Sequence, residues 1–252
     1  ACYDGHDITH PENLESFRKG DLPITVGVDI GKSVNSTVIS GWQLEQGEEA
    51  NHARLIYIEE INPRTGGHDI PYQRQRIMDV AVGLGADRVI IDATGIGGAI
   101  EQDLRVACIN ASIHFIPFIF TGGPKAYRDY QSYIQQRRVK IPNPEFLTGY
   151  AAKCVNKWIR EHIELQYVMD AANKTERIAA PDGKHDDYCD SSVIALHATL
   201  TMLPASAGGS FGGGNVSQNR AAGKHMSNRS AAPFARVKRR NIRLNKPNLG
   251  NI

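Results

Sequence analysis

Residues 24–30 read Ile24-Thr25-Val26-Gly27-Val28-Asp29-Ile30, a short apolar run with an acidic residue near its carboxyl end. A run of this length that is rich in β-branched residues predicts a buried strand. A turn at residues 31–33 separates it from a second such stretch at 36–43, and a third follows at 54–61. We therefore expect three consecutive strands, of which the first two form a hairpin.

The periodicity of the apolar residues then changes from that of a strand to that of a helix. Ile70, Ile77 and Leu84 recur at helical spacing before Gly85, a natural C-terminal cap, so a helix is predicted over 70–84. The sequence further predicts a strand over 88–92, a helix over 97–106, a strand over 113–118, helices over 125–138 and 144–162, short strands or loop over 163–180, and a last helix over 187–203. This order predicts an α/β fold whose mixed central sheet, three antiparallel strands and then parallel strands, is flanked by helices. It is similar to the order of the ribonuclease H-like fold.

Five acidic residues lie where such a fold would bring them together. Asp29 ends the first predicted strand, Asp92 ends the fourth, and Asp186, Asp187 and Asp190 lie at the start of the last helix. Carboxylate oxygens are the ligands that Mg²⁺ and Mn²⁺ prefer, and two such ions can promote phosphodiester hydrolysis. We therefore predict a two-metal site at these residues, although each of them taken alone is also typical of a turn or a helix cap.

Three stretches of the sequence resemble the nuclease motifs of phage large terminase subunits, and the resemblance spans about residues 24–202. They are Gly27-Val28-Asp29-Ile30-Gly31, Val89-Ile90-Ile91-Asp92-Ala93-Thr94-Gly95, and His185-Asp186-Asp187-Tyr188-Cys189-Asp190-Ser191-Ser192. The resemblance implies a metal-dependent endonuclease of the C-terminal nuclease domain, which cuts concatemeric viral double-stranded DNA during genome packaging. It implies that Asp29, Asp92 and Asp187 are the catalytic metal ligands, with Asp186 or Asp190 as a fourth.

The same resemblance implies partners and a location. The partners are double-stranded DNA, an upstream ATPase domain of the same polypeptide, the small terminase subunit and the portal, and the location is the host cytoplasm. The chain carries no GxxxxGK[ST] phosphate loop, so we expect it to cut DNA but not to pump it.

Basic residues are distributed unevenly along the chain. Nine of the 29 Lys and Arg residues and none of the 27 acidic residues follow position 219, which leaves a net charge of about −7 on the rest. A nuclease with an acidic body needs local basic residues to approach DNA, and the candidates between the second and third motifs are Lys125, Arg128, Arg137, Arg138 and Lys140. A solvated helix face explains these five residues equally well.

The composition also predicts how the chain is organised. Residues 1–22 are polar and irregular and are interpreted as a linker from an upstream domain, residues 23–203 as the nuclease domain, and residues 204–252 as a flexible basic tail rich in Gly and Ser. The scattered cysteines indicate neither a disulfide framework nor a zinc site. No apolar run approaches the ~18 residues that a membrane span needs, so we expect no membrane partner.

Three other functions are compatible with parts of the pattern. The pair Asp187 and Asp190 also resembles the last motif of RuvC-type junction-resolving nucleases. The turns after Asp29 and Asp92 resemble the phosphate-binding turns of actin-like ATPases and kinases, but those proteins need two such domains. A non-catalytic DNA-binding or scaffold domain of the same fold is the third alternative.

Overall fold

The computed structural model describes residues 2–3, 8, 21–31, 35–47, 50–62, 69–94, 98–120, 125–170 and 175–201. The strands in these ranges are β1 (Cys2–Tyr3), β2 (Ile24–Asp29), β3 (Thr37–Glu45), β4 (His52–Ile61), β5 (Arg88–Asp92), β6 (His114–Phe118), β7 (Val139–Pro142), β8 (Gln166–Asp170) and β9 (Thr175–Ala179). The helices are α1 (Ile70–Gly83), α2 (Gly98–Asn110), α3 (Lys125–Gln135), α4 (Gly149–Glu164) and α5 (Asp187–Thr201).

The central sheet has seven strands in the order β1-β7-β4-β3-β2-β5-β6. The consecutive strands β2, β3 and β4 pair antiparallel, whereas β5 pairs parallel to β2 and β6 pairs parallel to β5. On the other side, β7 is parallel to β4 and β1 is parallel to β7. The predicted mixed sheet, antiparallel strands followed by parallel ones, is therefore confirmed.

The predicted elements agree with the structure except near some ends. The helix predicted from Pro144 begins at Gly149, because Pro144–Phe146 form a short 3₁₀ turn that is capped by the Asn143 side chain. The segment predicted as short strands or loop forms the antiparallel hairpin β8–β9. None of the described helices combines the length and the apolar character that a bilayer crossing requires.

Helices cover both faces of the sheet. Alternate side chains of a strand point to opposite faces, and two glycines of neighbouring strands show this. A Cβ on Gly41 of β3 would meet Leu84 at the end of α1, whereas a Cβ on Gly27 of β2 would meet Ala195 of α5. The face with Gly27 carries α5, and α5 is buried on nearly all sides, from Tyr188 to Leu196.

The described part of the N-terminal segment lies against the domain. Cys2 and Tyr3 pair with Ile141 and Pro142 of β7, and the carbonyl of the fully buried Ile8 accepts a hydrogen bond of 3.2 Å from the Ile58 amide. The remainder of the predicted linker, apart from residues 21 and 22, lies outside the described residues, as does the predicted tail over 204–252.

Candidate active site

The sheet brings Asp29 and Asp92 together. Strands β2 and β5 are parallel and in register up to the pair Val28 and Ile91, and each ends at the next residue, Asp29 or Asp92. Both carboxylates therefore lie side by side at the carboxyl ends of the two strands. They also point to the same face of the sheet. Gly27 and Ile90 are paired across β2 and β5, and Ile90 packs against α5. Asp29 and Asp92 lie two positions after Gly27 and Ile90, so both point to this face.

A close approach between β2 and α5 brings the second pair of acids to this edge. A Cβ on Gly27 would lie 2.2 Å from the Ser191 carbonyl oxygen and 2.6 Å from the Ala195 Cβ. Only a residue without a side chain allows the helix to lie this close to the strand. The first turn of α5, with Asp187 and Asp190, therefore lies over the end of β2 where Asp29 is found.

The four carboxylates interact electrostatically. Burial raises the pKa of Asp29 well above its ordinary value, and the charges of Asp190, Asp187 and Asp92 raise it further. Burial and neighbouring acids likewise raise the pKa of Asp190, and burial raises the pKa of Asp187 to about 6. Desolvation and like charges both disfavour the ionised form, so these groups lie in one partly water-excluded cluster. We call Asp29, Asp92, Asp187 and Asp190 the carboxylate cluster.

Asp186 lies differently from the members of the carboxylate cluster. It precedes α5, and its side chain accepts a hydrogen bond of 3.1 Å from the Ala180 amide. Its carbonyl oxygen accepts a bond of 2.8 Å from the Asp190 amide, which is the first bond of the helix. Of the four acids that raise the pKa of Asp29, Asp186 has the smallest effect, whereas it is the neighbouring charge that raises the pKa of Asp190 most. Asp186 thus also serves the start of α5.

Hydrogen bonds fix the orientation of two members of the cluster. The hydroxyl of the buried Tyr127 in α3 donates a hydrogen bond to Asp190 Oδ1. Asp92 Oδ1 accepts a bond of 2.7 Å from the Thr94 amide. The His185 ring lies 3.9 Å from Asp187 Oδ2. Among the described residues, no Lys or Arg forms an ion pair with a member of the cluster.

The donor set suits a hard divalent cation. In the part of the chain that the structure describes, no three His, Cys, Asp or Glu side chains are already close enough together to form a finished metal site. In the cluster, the charges of neighbouring carboxylates raise the pKa of Asp29 and of Asp190, and no described Lys or Arg forms an ion pair with a member. A divalent cation would neutralise this repulsion, and oxygen ligands are those that Mg²⁺ and Mn²⁺ prefer. The residues therefore fit such an ion.

Three further ionisable residues, Glu60, Lys157 and Glu161, lie at this edge of the sheet. The sequence analysis did not identify them. Glu60 of β4 pairs with Val38, which also pairs with Asp29, so Glu60 lies in the same row. Lys157 Nζ lies 2.6 Å from Glu60 Oε1 and 3.9 Å from Glu161 Oε1. Although burial alone would raise the pKa of Glu60, hydrogen bonds from Lys157 and Ser36 lower it.

Glu161 of α4 holds the N-terminus of α5. Its Oε2 accepts a hydrogen bond of 2.8 Å from the Tyr188 amide, and its side chain is only 4% exposed. Burial raises its pKa to about 8. A side-chain oxygen that accepts a hydrogen bond from the first turn of a helix satisfies one of its unpaired amides, so Glu161 fixes the turn that carries Asp187. Helical spacing from Lys157 is the signal in the sequence that points to this pair.

The five basic residues predicted to bind DNA fall into two groups. Lys125 and Arg128 lie on α3, the helix that reaches Asp190 through Tyr127. Lys125 Nζ is 2.7 Å from Asp129, and Arg128 pairs with Glu176 of β9.

The second group, Arg137, Arg138 and Lys140, lies around the start of β7. In the sheet, Lys140 of β7 lies opposite Arg54, near the beginning of β4. Glu60 lies six positions farther along β4, a distance of ~20 Å along an extended strand. Arg138 donates to the Asn51 carbonyl and Lys140 contacts Glu45, both at this far end. The structure does not bring this group to the carboxylate cluster.

Comparison with solved structures identifies similar folds. The large terminase nuclease from thermophilic phage G20c is 20% identical with a TM-score of 0.52, and the match covers 71% of this chain and 83% of that chain. A mutant gp2c of the large terminase subunit from bacteriophage Sf6, with calcium, is 14% identical with a TM-score of 0.50, and the match covers 76% of this chain and 99% of that chain. RuvC from Thermus thermophilus is 14% identical with a TM-score of 0.39, over 70% of this chain and 93% of that one.

Sequence comparison adds no further relative. No protein-family model matches the sequence, and no curated protein matches it. The similarity therefore rests on the arrangement of the elements, including the mixed sheet of β2 to β6 with α5 across it. The chain has the ribonuclease H-like fold that is found in the nuclease domains of phage large terminases.

Proposed function

We propose that the chain is a divalent-metal-dependent endonuclease that hydrolyses phosphodiester bonds of DNA. The observation that carries this proposal is the carboxylate cluster, where four acids from two strands and one helix meet and no described Lys or Arg forms an ion pair with them. Asp29, Asp92, Asp187 and Asp190 would hold Mg²⁺ or Mn²⁺. A pair of such ions would supply an activated water and stabilise the leaving 3′ oxygen.

The protein's own residues would hold this site rigid. Asp29 and Asp92 are fixed by their positions in the paired strands β2 and β5. Tyr127 holds one oxygen of Asp190, and Glu161 holds the first turn of α5, which carries Asp187. Ligands held by packing and by a second layer of hydrogen bonds lose less entropy when they bind metal and substrate.

We further propose that the substrate is concatemeric viral double-stranded DNA and that the cutting occurs during genome packaging in the host cytoplasm. The support is that the similar structures from phages G20c and Sf6 belong to large terminase subunits. An ATPase domain of the same polypeptide, the small terminase subunit and the portal would then be the partners.

For DNA contact, we propose that Lys125 and Arg128 bind phosphates beside the cluster. Their present partners Asp129 and Glu176 are about one-third exposed, so these ion pairs are weak and DNA phosphates can replace them. Arg137, Arg138 and Lys140 would contact the same duplex only farther along, at the opposite end of the sheet. Phosphate contacts of this kind weaken steeply with salt.

The test is incubation of the purified chain with supercoiled plasmid in Mn²⁺, in Mg²⁺ and in chelator. The proposal expects nicking and linearisation that need the metal and disappear in Asp92→Asn, while circular dichroism shows an unchanged fold. Cutting by Asp92→Asn at the parental rate would contradict the assignment of the site.

A RuvC-type junction-resolving activity is the second candidate, because Asp187 and Asp190 both face the cluster from one helix. Four-way junctions and linear duplexes of the same sequence separate the two functions. Cutting that is restricted to the junction would favour the resolvase, and equal cutting of both substrates would favour the packaging nuclease.

A further inference from the structure

A cavity of about 370 Å³ lies next to the carboxylate cluster, between α3, the end of α4 and the hairpin β8–β9. Its walls include the rings of Tyr127, Tyr130 and Tyr167 and the side chains of Ile134 and Ile178. Sites for small molecules typically have volumes of ~300–1,000 Å³ and mainly apolar and aromatic walls. The cavity thus has the size and lining of a site for a compact organic molecule.

The side chains that line this cavity in the described part of the chain are all neutral. They are tyrosine, glutamine, isoleucine, leucine and one histidine. Burial lowers the pKa of that histidine, His162, to about 4. Its Nδ1 lies 2.6 Å from the Trp158 carbonyl, so its Nε2 accepts the hydrogen bond of 2.6 Å from the Tyr130 hydroxyl. A charged ligand would lose its hydration without gaining a counter-charge, so the lining selects a neutral one.

The cavity also offers hydrogen-bonding groups and access from solvent. Gln131, Gln135 and Gln166 line it, and the Tyr167 hydroxyl donates a bond of 2.8 Å to Gln131. Their amides can pair with a carbonyl, hydroxyl or amine of a neutral ligand. Ile163, at 78% exposure, and the half-exposed Tyr167 also line the cavity, so a ligand can enter from solvent.

Tyr127 connects the cavity with the carboxylate cluster. Its ring forms part of the wall, and its hydroxyl donates to Asp190. A molecule in the cavity would contact this ring and favour the arrangement in which the Tyr127 hydroxyl holds Asp190.

We propose that this cavity is a regulatory binding site for a small neutral aromatic molecule, and that its occupant strengthens metal binding at the carboxylate cluster through Tyr127. The coupling rests on the proposed metal site, whereas the binding of the molecule does not. Because coupling between two sites is reciprocal, metal must strengthen binding of the molecule by the same factor.

Binding of a neutral molecule in the cavity is tested with two fluorescent probes on the full chain. N-phenyl-1-naphthylamine is neutral, and 8-anilinonaphthalene-1-sulfonate has the same ring skeleton with a negative charge. We expect saturable binding of the neutral probe at one molecule per chain, at least about tenfold tighter than the charged probe. Equal affinities, or no saturable binding, would overturn the assignment.

A matched pair of variants locates the bound probe. Ile134→Trp places a large ring at the cavity wall, and Ile109→Trp places the same ring at a 65% exposed position on α2, which packs against α1 on the other face of the sheet. We expect the first variant to lose probe binding and the second to keep it. Loss in both, or in neither, would show that the probe binds elsewhere.

Coupling between the cavity and the carboxylate cluster is tested by calorimetric titration of Mn²⁺ with and without saturating neutral probe. Typical coupling energies predict a tightening of about fivefold or more, and an equal tightening of the probe by Mn²⁺. Tyr127→Phe is expected to bind the probe as the parent does but to lose the coupling. An unchanged Mn²⁺ affinity in the parent would refute the coupling, and an absence of Mn²⁺ binding would instead refute the proposed function and leave the probe site standing.

Discussion

Replacement of Gly27 by alanine tests how the active edge is assembled. The added Cβ would lie 2.2 Å from the Ser191 carbonyl oxygen and 2.6 Å from the Ala195 Cβ, whereas ordinary contact begins at about 3.4 Å. Two of the three nearest atoms belong to the backbone of α5, which cannot turn away like the end of a flexible side chain. Strand β2 and helix α5 must therefore separate by about 1 Å.

Two effects of this separation can be estimated. Overpacking of a core typically costs about 1–3 kcal/mol of the free energy of unfolding. The shift also moves Asp187 and Asp190 away from Asp29, and a misplacement of about 1 Å can lower a catalytic rate by about 100-fold. We therefore expect Gly27→Ala to lose about 1–3 kcal/mol of stability and about 100-fold in the rate of Mn²⁺-dependent plasmid nicking.

Gly41→Ala is the matched control, because its Cβ meets Leu84 Cδ1 at 2.7 Å and Tyr57 Cβ at 2.9 Å on the opposite face of the sheet. It should lose stability but keep its nicking rate within a few-fold. Urea unfolding and initial nicking rates are measured at a temperature where all three proteins are folded. An equal loss of nicking in both variants, or a parental rate in Gly27→Ala, would show that the close approach of α5 to β2 does not set the nicking rate.

Substitutions at three further residues test the charges around the site. Asp190→Asn in chelator should raise the free energy of unfolding by about 1 kcal/mol, roughly 2–4 °C in Tm, because it removes a buried like charge; a lower Tm would contradict this. Between pH 4.5 and about 8 the folded chain binds more protons than the unfolded chain at Glu161, so stability should fall as pH rises, by up to about 1.4 kcal/mol per unit. Glu161→Gln should flatten this slope in urea titrations, and an unchanged slope counts against the assignment. Lys157→Met should destabilise by about 2–4 kcal/mol because it leaves Glu60 without its cation, and Lys157→Arg should retain most of that stability.

The order of the elements and the acidic edge could be predicted from the sequence because both depend on local patterns. Alternating or continuous apolar runs identify strands, and helical spacing identifies helices such as α1. Parallel neighbours that end in Asp29 and Asp92 then place these residues at one edge. The spacing of Asp187 and Asp190 places both on one helical face.

Other features depend on contacts between distant segments. The pairing of Cys2 with Ile141 joins residues far apart in the chain, and no local pattern indicates it. Lys125 and Lys140 are close in sequence, but α3 and β7 carry them to different ends of the sheet. The role of Asp186 depends on the Ala180 amide, which the sequence does not place near it.

Calorimetric titration of Mn²⁺ into the parent, Asp29→Asn and Asp186→Asn determines whether the carboxylate cluster holds the metal. Asp29 lies within the carboxylate cluster, whereas Asp186 is turned toward Ala180. We expect the parent to bind Mn²⁺, Asp29→Asn to bind it at least about tenfold more weakly, and Asp186→Asn to stay within about threefold of the parent. Equal binding by the parent and Asp29→Asn, or no binding by the parent, would contradict this expectation.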